Sequence, residues 1–166
     1  MLDLKVLLEL EAYLNEHVIM ELEVCKSSEI MEESLEENSL RFELNDFIHK
    51  NRKPTLQEKL FQIIDQRGAL DTEIYKKAGL DRKHFSKIRS KSDYRPKKNT
   101  ILALALALEL SEEATEELLE TAGYSLSNSD TNDLIFKFCI NKKIYDRFEV
   151  NEYLVHFNLT PIGSSI

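Results

Sequence analysis

Glycine and proline are scarce in this chain of 166 residues, and their positions constrain its fold more than any other feature of the sequence. The four glycines and three prolines lie between long runs that contain neither residue. Gly68, Gly79 and Gly123 each follow a run whose apolar residues recur at helical spacing, as a glycine that ends a helix does. The sequence therefore predicts an all-α protein. No cluster of glycines is left for a phosphate-binding loop, which excludes P-loop and dinucleotide-binding folds.

Capping residues and apolar spacing place five helices between residues 55 and 123. We expect the first to run from a capping box of Thr55 and Glu58 to Gly68, the second from an Asp71 cap to Ala78, the third from an Asp81 cap to Arg89, the fourth over Lys97–Leu110 with Asn99 or Thr100 as its cap, and the fifth over Ser111–Ala122. Because the residues after Ile101 lack the β-branching typical of strands, the fourth helix is expected to be buried on most sides.

Helical patterns also flank this central region. Residues 1–53 are predicted to form an acidic arm, with a helix over Leu2–Val24, a break at Ser27-Ser28 and a second amphipathic stretch before a linker at residues 51–54. Residues 124–166 are predicted to form a C-terminal extension packed on the core, with helices near Asp133–Ile140 and Arg147–Phe157. The predicted organisation is an arm at 1–53, a central domain at 54–123 and an extension at 124–166.

Charge is distributed unevenly along the chain. The whole sequence carries 22 basic and 30 acidic residues, a net charge of −8, yet residues 82–98 contain 8 basic residues and 1 acidic one. Residues 1–54 carry 6 basic and 13 acidic residues, and residues 99–123 carry 6 acidic residues and no basic one. Such a cluster of like charges is unfavourable unless an anion faces it. The basic segment, residues 82–98, is therefore the candidate functional site.

The third predicted helix places much of this charge on one side. At 100° per residue, Phe85 and Ile88 share an apolar side that anchors the helix. Polar and basic residues occupy the other side and the loop that follows: Arg82, Lys83, Ser86, Lys87, Arg89, Lys91, Arg95, Lys97 and Lys98. Backbone amides at the start of the next helix also favour a phosphate there.

A short helix, a tight glycine turn and a second helix with a basic exposed side are the arrangement of helix-turn-helix DNA-binding proteins. In that arrangement the second helix enters the major groove with its N-terminal residues at the base edges, and flanking groups hold phosphates. Arg82 and Lys83 then lie nearest the bases, where such cations favour guanine. Ser86 reaches a base or a phosphate. Lys91, Arg95, Lys97 and Lys98 hold the phosphate backbone.

Residues 55–123 resemble the lambda-repressor-like (XRE-type) helix-turn-helix domain, which has five helices. The resemblance is carried by Ile74, Ala78-Gly79-Leu80, Phe85, Ile88 and the apolar helix at Leu102–Leu110. It implies a transcriptional regulator that binds double-stranded DNA in a sequence-specific way, with base contacts at Arg82, Lys83 and Ser86. Tyr75 departs from the family pattern, because a small residue usually stands where the two helices cross. Its ring is expected to tilt the helices or to point outward.

A narrower resemblance extends to residues 55–163. The segments Asp81–Ser90, Ala122–Ser127 and Tyr145–Glu152 are similar to a bacterial helical module that is commonly attached to other, sometimes enzymatic, domains. This resemblance implies that residues 55–163 form one unit, and it leaves a protein open as the partner. The alternative to a DNA-binding regulator is thus an adaptor or antitoxin-like interaction module in a bacterial stress or phage-response system.

The arm at residues 1–53 has two open roles. Its apolar stripe suits a partner helix, in a homodimer or in a complex with another protein. Its negative charge also allows it to lie across the basic segment and block it.

The cysteines, the histidines and the paired carboxylates of the sequence indicate no catalysed reaction. Cys25 and Cys139 lie far apart in apolar stretches, and none of the four histidines has a partner at metal-ligand spacing. Paired carboxylates such as Glu32-Glu33 are typical of a solvated helix side. We therefore expect no enzyme activity, no metal and no cofactor. The isolated thiols, together with the absence of a signal peptide and of a long apolar run, favour a cytoplasmic location without a membrane partner.

Overall fold

The computed structural model describes the backbone of residues 4–17 and 21–163 and the side chains of residues 4–13 and 30–163. Within these ranges all regular structure is helical, which confirms the predicted all-α class. The helices are α1 (Leu4–His17), α2 (Glu21–Asn51), α3 (Leu56–Arg67), α4 (Asp71–Ala78), α5 (Arg82–Ser90), α6 (Lys98–Ala107), α7 (Glu112–Thr121), α8 (Thr131–Asn141) and α9 (Arg147–His156). None of these helices combines the length and the hydropathy that crossing a membrane requires.

The chain divides into two compact units, residues 1–52 and residues 53–166. The first unit contains α1 and α2, and α2 continues without interruption through Ser27-Ser28, so the predicted break there is wrong. Serine lowers helix stability by only a fraction of 1 kcal/mol relative to alanine, which is too little to end a long helix. The predicted helix over Leu2–Val24 falls partly on residues 2, 3 and 18–20, which lie outside the described residues.

Large apolar side chains of α2 are exposed over the part whose side chains are described. Phe42 and Phe47 are 75% and 64% exposed, and Ile30, Leu40 and Leu44 are exposed as well. The described hydrophobic core contains no residue of the first unit. These apolar side chains therefore belong to a surface rather than to a core of this unit.

The second unit is built around α6. Every residue from Thr100 to Leu108 is buried, and α6 contacts α4, α7 and α9. The prediction of a central helix buried on most sides is confirmed. On the outside of this core, α3 packs against α5 and α7, and α8 packs against α7 and α9.

The structure confirms the predicted capping box of α3, the predicted N-cap of α5 and the glycines that end α3 and α4. The Thr55 hydroxyl accepts the backbone N–H of Glu58 at 3.3 Å, and the Glu58 carboxylate accepts the N–H of Thr55 at 3.0 Å, so the predicted capping box is confirmed. The Asp81 carboxylate caps α5 by accepting a backbone N–H at 2.6 Å. Gly68 and Gly79 end α3 and α4 with φ of 62° and 70°, the left-handed conformation that favours glycine.

Two other predicted caps are wrong. Leu70 is the N-cap of α4, and Asp71 is the first residue of that helix, with its carboxylate bound to a cation of α5 described below. Lys97 is the N-cap of α6, ahead of the predicted Asn99 or Thr100. Neither N-cap accepts a hydrogen bond with its side chain, so the sequence carries no capping signal at these two positions.

The C-terminal segment is fixed to the same core. The Asn151 side chain accepts the backbone N–H of Ile162 at 2.7 Å and donates to the Ile162 carbonyl at 3.0 Å. Ile162 is buried, and the following Gly163 lies so close to α4 that a Cβ atom there would be 2.6 Å from the Ala78 carbonyl oxygen. Only glycine fits this approach, which places residue 163 next to the turn between α4 and α5.

Candidate nucleic-acid interface

The apolar side of α5 anchors this helix to the core. Phe85 and Ile88 are buried as predicted, Leu80 is buried just before the Asp81 cap, and α5 contacts α3 and α4. Because these residues face inward, the opposite side of α5 faces solvent. The helix therefore presents its polar side outward on a fixed support.

Tyr75 lies at the crossing of α4 and α5. Its ring is partly buried and lies 5.7 Å from the ring of Phe85, at an interplanar angle of 48°. Phe61 of α3 contacts the same Phe85 ring edge-on at 5.9 Å. The expectation that the Tyr75 ring points outward is therefore wrong. The ring packs between the helices.

All predicted site residues except Lys98 are exposed. Four of the cations make no ion pair and no hydrogen bond with any side chain or backbone group that the structure describes: Arg82, Lys83, Lys91 and Lys97. The hydroxyl of Ser86 is likewise without a partner among the described groups. These side chains are available to an anion outside the fold.

Two further cations rest on aromatic rings. The Lys87 ammonium lies 4.3 Å from the ring centre of Tyr94, and the Arg95 guanidinium lies 4.3 Å from that of Tyr124. Tyr94 is partly buried against the core, and its hydroxyl is 3.1 Å from Nε2 of His84, so it closes the loop by packing. Contacts of this kind hold a cation in place without neutralising its charge.

Arg89 has a weak partner inside the fold. Its guanidinium binds the Asp71 carboxylate and lies 4.7 Å from the ring centre of Phe61. Both members of the ion pair are accessible to water, and exposed pairs of this kind stabilise a fold by about 0–1 kcal/mol. The pair is a weak link between α4 and α5, and it leaves Arg89 available to an anion.

Lys98 has a strong partner inside the fold. Its Nζ lies 2.6 Å from Oδ2 of Asp133, and the same carboxylate oxygen accepts the backbone N–H of Ser127 at 2.8 Å. Asp133 is 2% exposed, and the Lys98 side chain is 27% exposed. The phosphate contact predicted for Lys98 therefore competes with a buried carboxylate that already holds this cation.

A groove with a volume of about 600 Å³ lies beside the basic segment. Its polar lining includes Lys83, Lys87, Lys97, Asn99, Thr100 and Thr160. The sequence does not indicate this groove, because one wall comes from residues 160–163, which no motif relates to α5 or α6. The tight approach of Gly163 to α4 is visible only in the folded chain.

Other chemistry-bearing residues form no centre in the part of the chain that the structure describes. No group of three or more His, Cys, Asp and Glu side chains there is arranged to hold a metal ion. Cys139 is buried, and burial, with a smaller contribution from the charge of Glu149, raises the pKa of its thiol. The side chains of His17 and Cys25 lie outside the described residues.

No family model, curated protein or solved structure matches this chain. The geometry and charge of the site are therefore the basis on which a function is inferred.

Proposed function

We propose that the protein is a cytoplasmic, sequence-specific DNA-binding regulator, and that residues 54–123 form a lambda-repressor-like helix-turn-helix domain with α3–α7 as its five helices. In this proposal α4 and α5 are the helix pair, and α5 enters the major groove. One observation carries the proposal: the exposed cations Arg82 and Lys83 have no internal ion pair among the described residues and begin a helix whose opposite side is buried.

The position of these residues fits readout of base edges. The major groove of B-DNA is about 12 Å wide and admits an α-helix, whose N-terminal residues reach the bases. Arg82 and Lys83 form the first turn of α5, and Ser86 follows one turn later on the same exposed side. The hydrogen-bond donors of the two cations match the O6 and N7 acceptors of guanine.

Phosphate contacts are assigned to the cations that follow the first turn of α5. Lys91, Arg95 and Lys97 are exposed in the loop that leads to α6, and Lys87 and Arg89 lie on the second turn of α5 and beyond. Residues 99–123, which follow the basic segment, carry six acidic residues and no basic one, so they repel DNA. This contrast in charge favours the approach of a duplex to the basic segment.

DNA affinity is expected to fall steeply with salt concentration. The available cations of the basic segment correspond to about four to six neutralised phosphates, which gives a slope of about −4 to −5 for log K against log[salt]. Fluorescence anisotropy of a labelled random duplex pool between 50 and 200 mM salt measures this slope. A flat salt response, or no binding at 50 mM salt, would overturn the proposal.

We also propose that the arm at residues 1–53 forms a homodimer. Its apolar side chains are exposed over the part described, and they suit a helix of a second chain. A two-fold assembly places two α5 helices on paired half-sites, which multiplies the contacts to DNA. The apolar side chains of α2 thus have a role that is linked to the proposed DNA binding.

Replacing Phe42 and Phe47 together by aspartate is expected to convert the dimer to a monomer, which halves the molar mass that light scattering measures for the full chain. Both residues are exposed, so the change removes apolar contact area without opening a cavity in the fold. Phe148→Asp is the matched control, because Phe148 is an equally exposed phenylalanine in the second unit. A wild-type protein that is monomeric, or a mass that the double substitution leaves unchanged, contradicts dimerisation through the arm. Docking to another protein and covering of the basic segment would then be the remaining roles, and removal of the arm would tighten DNA binding in the second case.

A second candidate function is that of a protein-interaction module. A specific observation favours it: an apolar groove of about 390 Å³ on α8 and α9, whose lining includes Leu134, Phe138, Tyr153 and Phe157. Purification from nuclease-treated cells separates the two candidates. One stoichiometric protein partner without nucleic acid supports the module, and a partner that is lost with nuclease treatment argues against it.

A further inference from the structure

We propose that the groove between α5, the start of α6 and residues 160–163 binds a small, multiply charged anion of the size of a nucleoside phosphate. Binding in this groove is inferred from its own lining and does not depend on the proposed binding of DNA. Four features of the lining support it: its cations, the open start of a helix, a threonine hydroxyl that opens on the groove, and its size.

Three lysines from separate positions converge on the groove. Lys83 and Lys87 extend from successive turns of α5, and Lys97 precedes α6. Lys83 and Lys97 have no ion pair within the described part of the chain, and Lys87 is held over the ring of Tyr94. Asp81 is the acidic residue of the lining, and its carboxylate is engaged in capping α5. The lining therefore has an excess of positive charge and suits a ligand with more than one negative charge.

The start of α6 faces the same space. This helix has ten residues, its N-cap Lys97 makes no side-chain capping bond, and both Lys97 and Asn99 line the groove. The first backbone N–H groups of a helix lack intrahelical acceptors and carry a partial positive charge. A phosphate placed there receives backbone hydrogen bonds in addition to the lysine contacts.

Thr100 adds an independent sign of a ligand. Its side chain is 9% exposed and lines the groove, and its hydroxyl has no hydrogen-bond partner among the described residues. Among the described residues, Oδ1 of Asn132 is the side-chain atom that is both fully buried and unpaired. The Thr100 hydroxyl is therefore not fully buried, and it opens on the groove that Thr100 lines. The Thr100 hydroxyl is therefore placed to bind an oxygen atom of a ligand in the groove.

The size and the apolar part of the lining indicate the class of ligand. A volume of about 600 Å³ is in the range of small-molecule sites and exceeds what a phosphate ion fills. Leu80, Tyr94 and Pro161 contribute apolar surface beside the lysines. A molecule with an anionic end and a flat organic part matches this lining better than a bare ion does.

The groove shares Lys83, Lys87 and Lys97 with the basic segment. A bound anion therefore occupies cations that the proposed DNA complex uses, and ligand and duplex would compete. This consequence, unlike the binding of the ligand itself, rests on the proposed DNA-binding function. It would make the groove the place at which a small molecule releases the protein from DNA.

Isothermal titration calorimetry of the full chain with inorganic phosphate, AMP and ATP tests the proposal. We expect ATP to bind more tightly than AMP, and AMP more tightly than phosphate. Thr100→Val and Lys97→Gln are each expected to weaken ATP binding by about tenfold or more, the loss that follows removal of one hydrogen bond to a charged group. Lys91→Gln is the matched control, because Lys91 belongs to the basic segment and does not line the groove.

Three results would overturn the proposal: no heat of binding with any of the three probes, equal affinity for phosphate and ATP, or equal losses in Lys97→Gln and Lys91→Gln. Valine is nearly isosteric with threonine, so Thr100→Val keeps the packing of α6, and the unfolding midpoint of this variant verifies that it is folded. Anisotropy with labelled duplex is measured on the same samples. ATP binding without DNA binding would support the groove while contradicting the DNA-binding proposal.

Discussion

Replacing Arg82 and Lys83 together by glutamine is expected to weaken the binding of a selected DNA site by at least about thirtyfold. Both residues stand in the first turn of α5 and are exposed, without an ion pair to any described group. A good contact of either cation to guanine discriminates by about 1–3 kcal/mol, so the loss of two such contacts removes about 2–6 kcal/mol. Fluorescence anisotropy measures the change on a duplex that the wild-type protein selects from a random pool.

Two controls separate base readout from net charge. Lys142→Gln with Lys143→Gln removes two positive charges after α8, outside the basic segment, and is expected to leave affinity for the selected site nearly unchanged. Lys91→Gln is expected to weaken binding evenly across sequences and to reduce the salt slope by about 1, as the loss of a phosphate contact does. Equal losses in the Arg82/Lys83 and Lys142/Lys143 variants would mean that charge alone sets the affinity and that α5 does not read bases.

Short-range signals explain which parts of the fold were predictable. The capping box of Thr55, the Asp81 cap and the glycines after α3 and α4 act over four residues or fewer, and the structure confirms each of them. The apolar side of α5 follows from helical periodicity and is also confirmed. The N-cap of α6, Lys97, makes no side-chain hydrogen bond, so no short-range signal marks it, and the predicted cap at Asn99 or Thr100 is wrong.

The difference between short-range and long-range interactions also explains which parts of the candidate site the sequence does not predict. The exposure of Arg82 and Lys83 follows from their position away from the apolar side of α5, which Phe85 and Ile88 form, so local spacing predicts it. The partner of Lys98 is 35 residues distant, and the wall of the groove at residues 160–163 is farther still. The charge of a sequence segment does not show which of its cations bind carboxylates from distant parts of the chain. Only the tertiary structure shows that Lys98 has such a partner and that Lys97 has none among the described residues.

This separation leaves two adjacent lysines with different roles. Lys98 is held by a buried carboxylate and joins the start of α6 to α8, whereas Lys97 is exposed and lines the groove. Substitution of Lys97 should therefore change ligand binding and leave stability intact, and substitution at the Lys98–Asp133 pair should do the reverse.

Asp133→Ala is expected to lower the free energy of unfolding by about 3 kcal/mol, and the melting temperature by about 10–20 °C. The substitution leaves the Lys98 ammonium without its partner and the backbone N–H of Ser127 without an acceptor, at a site where Asp133 is 2% exposed. Removal of one member of a buried pair generally costs about 3–5 kcal/mol, and we expect the lower end because Lys98 retains 27% exposure. Chemical denaturation followed by circular dichroism measures the change.

Glu120→Ala is the matched control, because the ion pair of Glu120 with Lys53 has an N–O distance of 3.0 Å in the same unit but both side chains are exposed. Its expected effect is below about 0.5 kcal/mol, since water screens exposed pairs. Lys98→Met alone leaves the buried Asp133 carboxylate without its cation. The double variant Asp133→Ala with Lys98→Met should therefore be more stable than the sum of the two single changes predicts, by about 1–3 kcal/mol. Strictly additive effects, or a loss in Asp133→Ala no larger than in Glu120→Ala, would mean that the pair does not hold α6 to α8 and that Lys98 is free to bind a phosphate.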